Sequence, residues 1–349
     1  MKKTISVILA TLMLFSLSVC AFAWDTSKPI NGMDKEALNE LFVYGEGPYV
    51  EGYAIDYRYY SPVKENDENK YPLVVWLHGM GNGMKDGDQL GGNDIGFWAS
   101  EQFQSRFVGG GAFILAARSP EEQINFWGTD TIYPLRAALD DFIAKNADNL
   151  DISRIYIGGF SMGGKMTLNM TYAYPDMFAA AFPICPAGKI SKDNAPAVAD
   201  VPYWFVSGKK DPAVNYDTGV KPAWENIISA TNRPADCRFS TLSEVRNPDG
   251  SKTETAHSSW FAVTFDMFSV DNGDYPYMST VNGLGESVTL TYPNGMIYWL
   301  SQFESSFDGA VAEDAGNFGK PARSVFNLIY SFFERIFNMI RSAFEGMFA

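Results

Sequence analysis

The chain has 349 residues, of which 46% are hydrophobic and 19% are charged, and this balance excludes a wholly disordered or collagen-like protein. The formal net charge of −14 argues against a nucleic-acid binder, because phosphate backbones require a basic surface. With only two His residues there is little room for a His-based metal centre, and we expect neither a metal nor a cofactor.

Residues 1–23 have the features of a secretory signal peptide. The apolar run over residues 5–19 follows two Lys residues and is too short, and too often interrupted by Ser and Thr, to favour a membrane-spanning helix. Residues 21–23 then supply the small-x-small pattern of a signal-peptidase site. We therefore expect a secreted or periplasmic protein. Lipidation of Cys20 is an alternative, which Val19 disfavours because a small residue is preferred there.

Beyond this leader the only cysteines are Cys185 and Cys237. Export implies an oxidising compartment, in which the two could form one disulfide. Two buried free thiols fit the sequence equally well.

The remainder of the chain alternates strand-like and helix-like segments. After an irregular segment over residues 24–50, residues 50–60 alternate in polarity and are rich in Tyr, which favours an edge strand or a hairpin. Further strands are predicted at residues 72–77, 112–117, 154–157, 178–184, 201–206 and 238–245, and helices at residues 131–145 and 162–174. This alternation predicts an α/β protein with a mostly parallel sheet and helices on both faces. Its ligand site is expected at the carboxyl ends of the strands.

The last part of the chain differs in composition. Residues 307–322 are small, Gly/Ala-rich and acidic, which predicts a linker. In residues 323–349 the polar side chains would form one narrow stripe along an amphipathic helix. No uncharged run there is long enough to span a bilayer, so this helix should lie in a membrane interface, dock on a partner or pack on its own domain. We favour contact with a membrane surface or the cell envelope. Residues 24–306, between the leader and the linker, form the predicted main domain.

The strongest motif is the sequence G-F-S-M-G at residues 159–163, which lies directly between a predicted strand and a predicted helix. This is the context of a nucleophile elbow, in which Ser161 would sit at the apex of a turn so tight that glycines are required on either side. Residues 159–165 also match the spacing of a phosphate loop, but Met166 stands where a Mg²⁺-binding Ser or Thr is needed, which argues against nucleotide binding.

A Ser nucleophile needs a base and a group that orients the base. His78 follows the first central strand, which is the place of an oxyanion loop, so His257 is the only candidate base. Asp211 follows the strand at residues 201–206 and is the expected acid. Asp217 is an alternative, whereas Asp200 precedes that strand and lies at the wrong end.

Two further groups complete the predicted site. The backbone amides of Met80 and Met162 are expected to form the oxyanion hole, with His78 shaping the loop that carries Met80. Aromatic residues recur near these loops and could stack on a sugar or a phenolic ring, although ordinary packing would also explain them. The candidates for substrate binding are Trp98, Trp127 and Trp260.

Several of these segments together resemble a known group of proteins. They read YPLVVWLHGMG at 71–81, RIYIGGFSMGG at 154–164, YPDMFAAAFP at 174–183, SGKKD at 207–211 and HSSW at 257–260. The chain is similar over about residues 50–303 to secreted esterases of carbohydrate esterase family one, and to polyhydroxybutyrate depolymerases and related predicted peptidases. The resemblance implies an α/β-hydrolase fold and cleavage of acetyl or feruloyl esters on plant polysaccharide. The loop AARSPEEQ at 116–123 departs from relatives that carry Pro-Gln and more aromatic residues.

The sequence thus predicts an exported serine hydrolase that cleaves carboxylic esters with a triad of Ser161, His257 and Asp211. A peptidase or a polyhydroxyalkanoate depolymerase of the same fold is the enzymatic alternative. A surface carbohydrate-binding protein with a decayed site is the alternative outside enzymes, and the three triad residues in the expected chain order disfavour it.

Overall fold

The structure is a computed structural model that describes residues 34–120, 127–247, 250–269, 276–290 and 295–318. The predicted signal peptide, including Cys20, and the predicted C-terminal helix at 323–349 lie outside the described residues.

A single nine-stranded sheet forms the centre of the described chain, with the strand order β1-β2-β4-β3-β5-β6-β7-β8-β9. Strands β3 to β8 run parallel to one another, while β1, β2 and β9 are antiparallel to their neighbours. The strands are β1 (Val43–Glu46), β2 (Asp56–Tyr60), β3 (Tyr71–Leu77), β4 (Phe113–Ala117), β5 (Leu150–Phe160), β6 (Ala180–Ile184), β7 (Trp204–Gly208), β8 (Arg238–Leu242) and β9 (Met278–Asn282).

The central strands are apolar along their whole length, and every residue of β3, β4 and β6 is buried. Successive side chains of a strand point to opposite faces, so this burial means that both faces of the sheet are covered. The helices are α1 (Lys35–Glu40), α2 (Asp88–Gly91), α3 (Glu101–Gln104), α4 (Ile132–Lys145), α5 (Met162–Ala173), α6 (Lys221–Ile228), α7 (Phe261–Thr264) and α8 (Met296–Leu300). None of the helices in the described part of the chain combines the length and the apolar character that crossing a membrane requires.

The described N-terminal residues are more regular than the sequence indicates. Residues 34–50, expected to be irregular, contain α1 and β1. The side chain of Asp34 caps α1 by accepting hydrogen bonds from two amides of its first turn. Strand β1 pairs with β2 and forms the edge of the sheet. Of the segment 50–60, predicted as an edge strand or hairpin, only residues 56–60 form a strand, and that strand lies between β1 and β4.

The described part of the predicted linker, residues 307–318, packs against the helices α4 and α5. The amide of Ala312 donates a hydrogen bond of 3.1 Å to Asp140, and the hydroxyl of Tyr174 donates one of 2.6 Å to the carbonyl of Asp314. These residues therefore belong to the packed domain and do not form a free connection.

Candidate active site

The backbone of Ser161 adopts a strained conformation at the junction of β5 and α5. Its φ of 57° and ψ of −109° are disfavoured for a residue with a side chain, at a cost of about 1–3 kcal/mol. Its amide donates a hydrogen bond of 2.9 Å to the carbonyl of Ile184, and its carbonyl accepts one of 2.9 Å from Ala187. The surrounding backbone therefore holds the turn that presents the Ser161 hydroxyl beyond the end of the sheet.

Two glycines make this turn possible by allowing backbone segments to approach closely. A Cβ atom on Gly163 would lie 2.0 Å from the carbonyl oxygen of Leu77, and one on Gly159 would lie 2.6 Å from the same atom. Real Cβ atoms do not come this close to backbone oxygens. The G-x-S-x-G spacing is therefore a steric requirement of packing α5 against the end of β3.

The structure brings Ser161, His257 and Asp211 together although up to 96 residues separate them along the chain. The Nε2 atom of His257 lies 3.2 Å from Ser161 Oγ, and its Nδ1 atom lies 2.7 Å from Asp211 Oδ2. The other carboxylate oxygen, Oδ1, accepts hydrogen bonds from the amides of Ala213 and Val214 at 2.8 and 2.9 Å. Asp211 therefore has a fixed orientation and holds the imidazole in the tautomer that leaves Nε2 free to accept a proton.

The alternative acids lie elsewhere. Asp217 and Asp200 are both exposed, and Asp200 accepts a hydrogen bond from the side chain of Asn232.

The loop that carries His257 lies against the end of β7. A Cβ atom on Gly208 would lie 2.4 Å from the carbonyl oxygen of Ala256, so glycine at this position lets the loop approach the strand that precedes Asp211. The imidazole of His257 also contacts the ring of Phe160, with a centroid separation of 4.6 Å. Packing against Phe160 thus restricts the ring that Asp211 orients.

The register of the sheet brings Met80 and Met162 to the same end of neighbouring strands. Leu77 of β3 pairs with Gly159 of β5, and each methionine follows its paired residue by three positions. Neither methionine amide donates a hydrogen bond to another residue in the described chain, so both remain available to an oxygen atom of a bound ligand. Met162 is also the first residue of α5, whose N-terminus favours negative charge.

His78 is fully buried and ties the loop before Met80 to its surroundings. Its Nε2 atom accepts a hydrogen bond of 3.0 Å from the amide of Ser119, so Nδ1 carries the proton and donates to the carbonyl of Gly79 at 2.7 Å. Burial lowers the pKa of His78 to about 4, which keeps the ring neutral at physiological pH. These contacts give His78 the loop-shaping position that the sequence predicts for it.

The three predicted substrate-binding tryptophans have different surroundings. Trp98 and Trp127 are completely buried, so the prediction that they stack on a ligand is wrong. Trp98 packs in the core, and the indole of Trp127 donates a hydrogen bond of 3.1 Å to the carbonyl of His78. Their large apolar surfaces are stabilising only when removed from water, which favours core positions. Trp260 alone is partly exposed, and it lies edge-on to Phe160 at 4.5 Å.

Sequence reasoning missed Cys185 as a neighbour of the site. Cys185 and Cys237 are both free and buried, as expected from the alternative of two buried free thiols and not from that of a disulfide. The Sγ atom of Cys185 lies 3.6 Å from Nδ1 of His257. Cys185 directly follows β6 at the carboxyl edge of the sheet, and that position was the available signal.

Comparisons with known proteins agree with this architecture. Residues 128–247, about a third of the chain, match a family model described as Phospholipase/Carboxylesterase. This match includes Ser161 and Asp211 and ends before His257. No curated protein matches the chain in sequence.

Among solved structures, a thermostable esterase is 28% identical with a TM-score of 0.55, over 66% of this chain and 62% of its own. A thermophilic esterase from Thermogutta terrifontis is 15% identical with a TM-score of 0.46, over 66% and 90% of the two chains. An acylaminoacyl peptidase is 14% identical with a TM-score of 0.43, over 66% of this chain and 41% of its own. The chain thus spans less than two thirds of the thermostable esterase. The topology, the elbow at Ser161 and the first of these likenesses establish the α/β-hydrolase fold.

Proposed function

We propose that this protein is a serine hydrolase that cleaves carboxylic esters with a triad of Ser161, His257 and Asp211. The observation that carries the proposal is the continuous chain of contacts from Ser161 Oγ to His257 Nε2 at 3.2 Å, and from His257 Nδ1 to Asp211 Oδ2 at 2.7 Å. A hydroxyl, an imidazole and a carboxylate in this order are the groups that nucleophilic acyl transfer requires.

The reaction follows from the roles of these groups. His257 accepts the proton of the Ser161 hydroxyl as the oxygen attacks the ester carbonyl, and Asp211 stabilises the imidazolium that forms. The carbonyl oxygen becomes negatively charged and accepts hydrogen bonds from the amides of Met80 and Met162. His257 then donates its proton to the leaving alcohol, and water releases the acyl group by the same steps in reverse order.

The decisive experiment measures hydrolysis of p-nitrophenyl acetate by the wild type and by Ser161→Ala. The variant should lose about three to six orders of magnitude in kcat, because triad members act as a unit. Labelling by a fluorophosphonate probe should disappear with it, whereas a decayed, carbohydrate-binding site would leave even the wild type unlabelled. Turnover retained in Ser161→Ala would reject the mechanism.

We infer further that the substrates are acetyl or feruloyl esters on plant polysaccharide. This inference is supported by the partly exposed ring of Trp260, which lies beside Phe160 and close in sequence to His257. An aromatic surface at this position suits a phenolic acyl group or a sugar ring. A panel of acetyl, butyryl and feruloyl esters, hydroxybutyrate oligomers and peptides would test it. Preference for peptides or for hydroxybutyrate oligomers would favour the alternative functions.

Export and envelope contact are also part of the proposal. They rest on the signal-peptide pattern at 1–23 and on the amphipathic pattern at 323–349. Deletion of residues 323–349 should release the protein into the medium without loss of ester hydrolysis. Unchanged partitioning of the truncated protein would contradict the envelope contact.

A further inference from the structure

Three chemically different donor atoms lie close together around Nδ1 of His257, the ring nitrogen that does not contact the Ser161 hydroxyl. The Nδ1 atom of His257 lies 2.7 Å from Asp211 Oδ2 and 3.6 Å from Cys185 Sγ. All three donor atoms lie within 4.8 Å of one another. The proposed ester hydrolysis uses the imidazole and the carboxylate but gives the thiol no role.

The separations are close to those around a small tetrahedral cation. Zn–S and Zn–N distances of about 2.3 and 2.05 Å place the sulfur and the nitrogen about 3.5 Å apart at a tetrahedral angle. The observed separation of 3.6 Å between Cys185 and His257 already fits. The carboxylate of Asp211 would have to withdraw from Nδ1 by about 0.7 Å for the ion to enter between them.

The charges of the cluster also favour a divalent cation. Cys185 and Asp211 are both buried, so a thiolate at Cys185 would be desolvated beside a carboxylate unless a cation lay between them. A divalent ion that binds both groups offsets both negative charges and leaves a neutral cluster, and a coordinating thiol is deprotonated outright. Thiolate and imidazole ligands select Zn²⁺ and other thiophilic ions over Mg²⁺ or Ca²⁺.

We propose that Cys185 Sγ, His257 Nδ1 and Asp211 Oδ2 form an inhibitory binding site for a thiophilic divalent cation such as Zn²⁺ or Cd²⁺. The inhibitory part of this inference rests on the proposed function, whereas the binding part does not. The ion acts as an inhibitor and takes no part in ester cleavage.

Inhibition follows from the tautomer of His257. When the ion forms a bond to Nδ1, the proton on that nitrogen moves to Nε2, and the thiol proton of Cys185 passes to solvent. Nε2 then carries a hydrogen and donates to Ser161 Oγ, so it no longer accepts the proton of the nucleophile. One ion thereby removes both the general base and the contact between His257 and Asp211.

Binding is tested separately from catalysis in the full chain carrying Ser161→Ala, titrated with cadmium chloride. The ultraviolet charge-transfer band of a cadmium–thiolate bond should appear, with one ion per chain. Adding Cys185→Ala should abolish the band and raise the Kd by at least about 100-fold, since even outer-shell partners of a metal contribute 10–100-fold to affinity. Cys237→Ala is the matched control, because Cys237 is also a free buried thiol and contacts the side chain of Thr231 instead of the triad.

Inhibition is tested with zinc or cadmium during p-nitrophenyl acetate hydrolysis, with each variant normalised to its own metal-free rate. The wild type and Cys237→Ala should be inhibited at the same concentration and recover when a chelator is added. Cys185→Ser should need at least about tenfold more metal to reach the same degree of inhibition. This variant nearly preserves the size of the side chain and therefore replaces Cys185→Ala if that variant fails to fold. A band that survives loss of Cys185, or equal inhibition with and without the thiol, overturns the site. A band in the Ser161→Ala protein together with an inactive wild type would reject the proposed function and leave the metal site standing.

Discussion

Burial of His78 should make the folded protein lose stability in mild acid. The pKa of this imidazole falls from 6.5 to about 4 on burial, because the charged form is desolvated and Nε2 already accepts the amide hydrogen of Ser119. Between these values the unfolded chain binds a proton that the folded chain does not, so the free energy of unfolding decreases as the pH falls. From about pH 7 to about pH 4.5 the contribution of His78 to this decrease is about 2 kcal/mol.

The measurement compares urea unfolding of the wild type and of His78→Gln at both pH values. Gln keeps a donor and an acceptor but does not titrate, so the variant should lose about 2 kcal/mol less than the wild type over this interval. Burial raises the pKa of Asp56 and of Asp266, and those groups contribute in the opposite direction in both proteins, so the comparison removes their effect. Identical pH dependence in the two proteins would refute the assignment of a neutral, buried His78.

Three other substitutions test the geometry of the site. Asp211→Asn should lower kcat for p-nitrophenyl acetate by about 10⁴-fold with little change in thermal stability, and a loss below tenfold would contradict the orienting role. Gly163→Ala places a methyl group 2.0 Å from the backbone oxygen of Leu77 and should cost at least about 3 kcal/mol in urea unfolding. Gly91→Ala, where nothing lies within 4 Å, is its control and should be nearly neutral. Trp260→Ala should raise KM for feruloyl esters about tenfold and leave KM for acetyl esters unchanged; equal effects on both would argue against stacking.

The parts of the site that sequence reasoning identified depend on local chemistry or on there being few candidate residues of the required type. The elbow at Ser161 is visible because the two positions that require glycine both fall within five residues of sequence, although the backbone that requires them belongs to β3. His257 follows from there being only two His residues, one of which belongs to a loop after β3. Asp211 follows from its place after β7, since parallel strands end at one edge of the sheet.

The predictions that the structure contradicts share a different cause. Trp98 and Trp127 are close in sequence to candidate loops, yet one packs in the core and the other supports His78. The Gly/Ala-rich composition of residues 307–318 indicates a linker, but hydrogen bonds to Asp140 of α4 and to Tyr174, which follows α5, hold this segment on the domain. In each case burial is decided by contacts with residues far away in the chain, which composition and spacing do not report.

The sequence by itself determined the alternation of buried strands with helices, and with it the sheet, its topological class and the edge at which reactive side chains collect. Those properties follow from periodicity and turn chemistry, which act over a few residues. Only the tertiary structure decided that the imidazole of His257 reaches Ser161 and Asp211 together, that Cys185 lies beside that ring, and that of three candidate tryptophans only Trp260 remains partly exposed. Distances between side chains on separate loops depend on how the whole sheet packs and twists, and no local pattern encodes them.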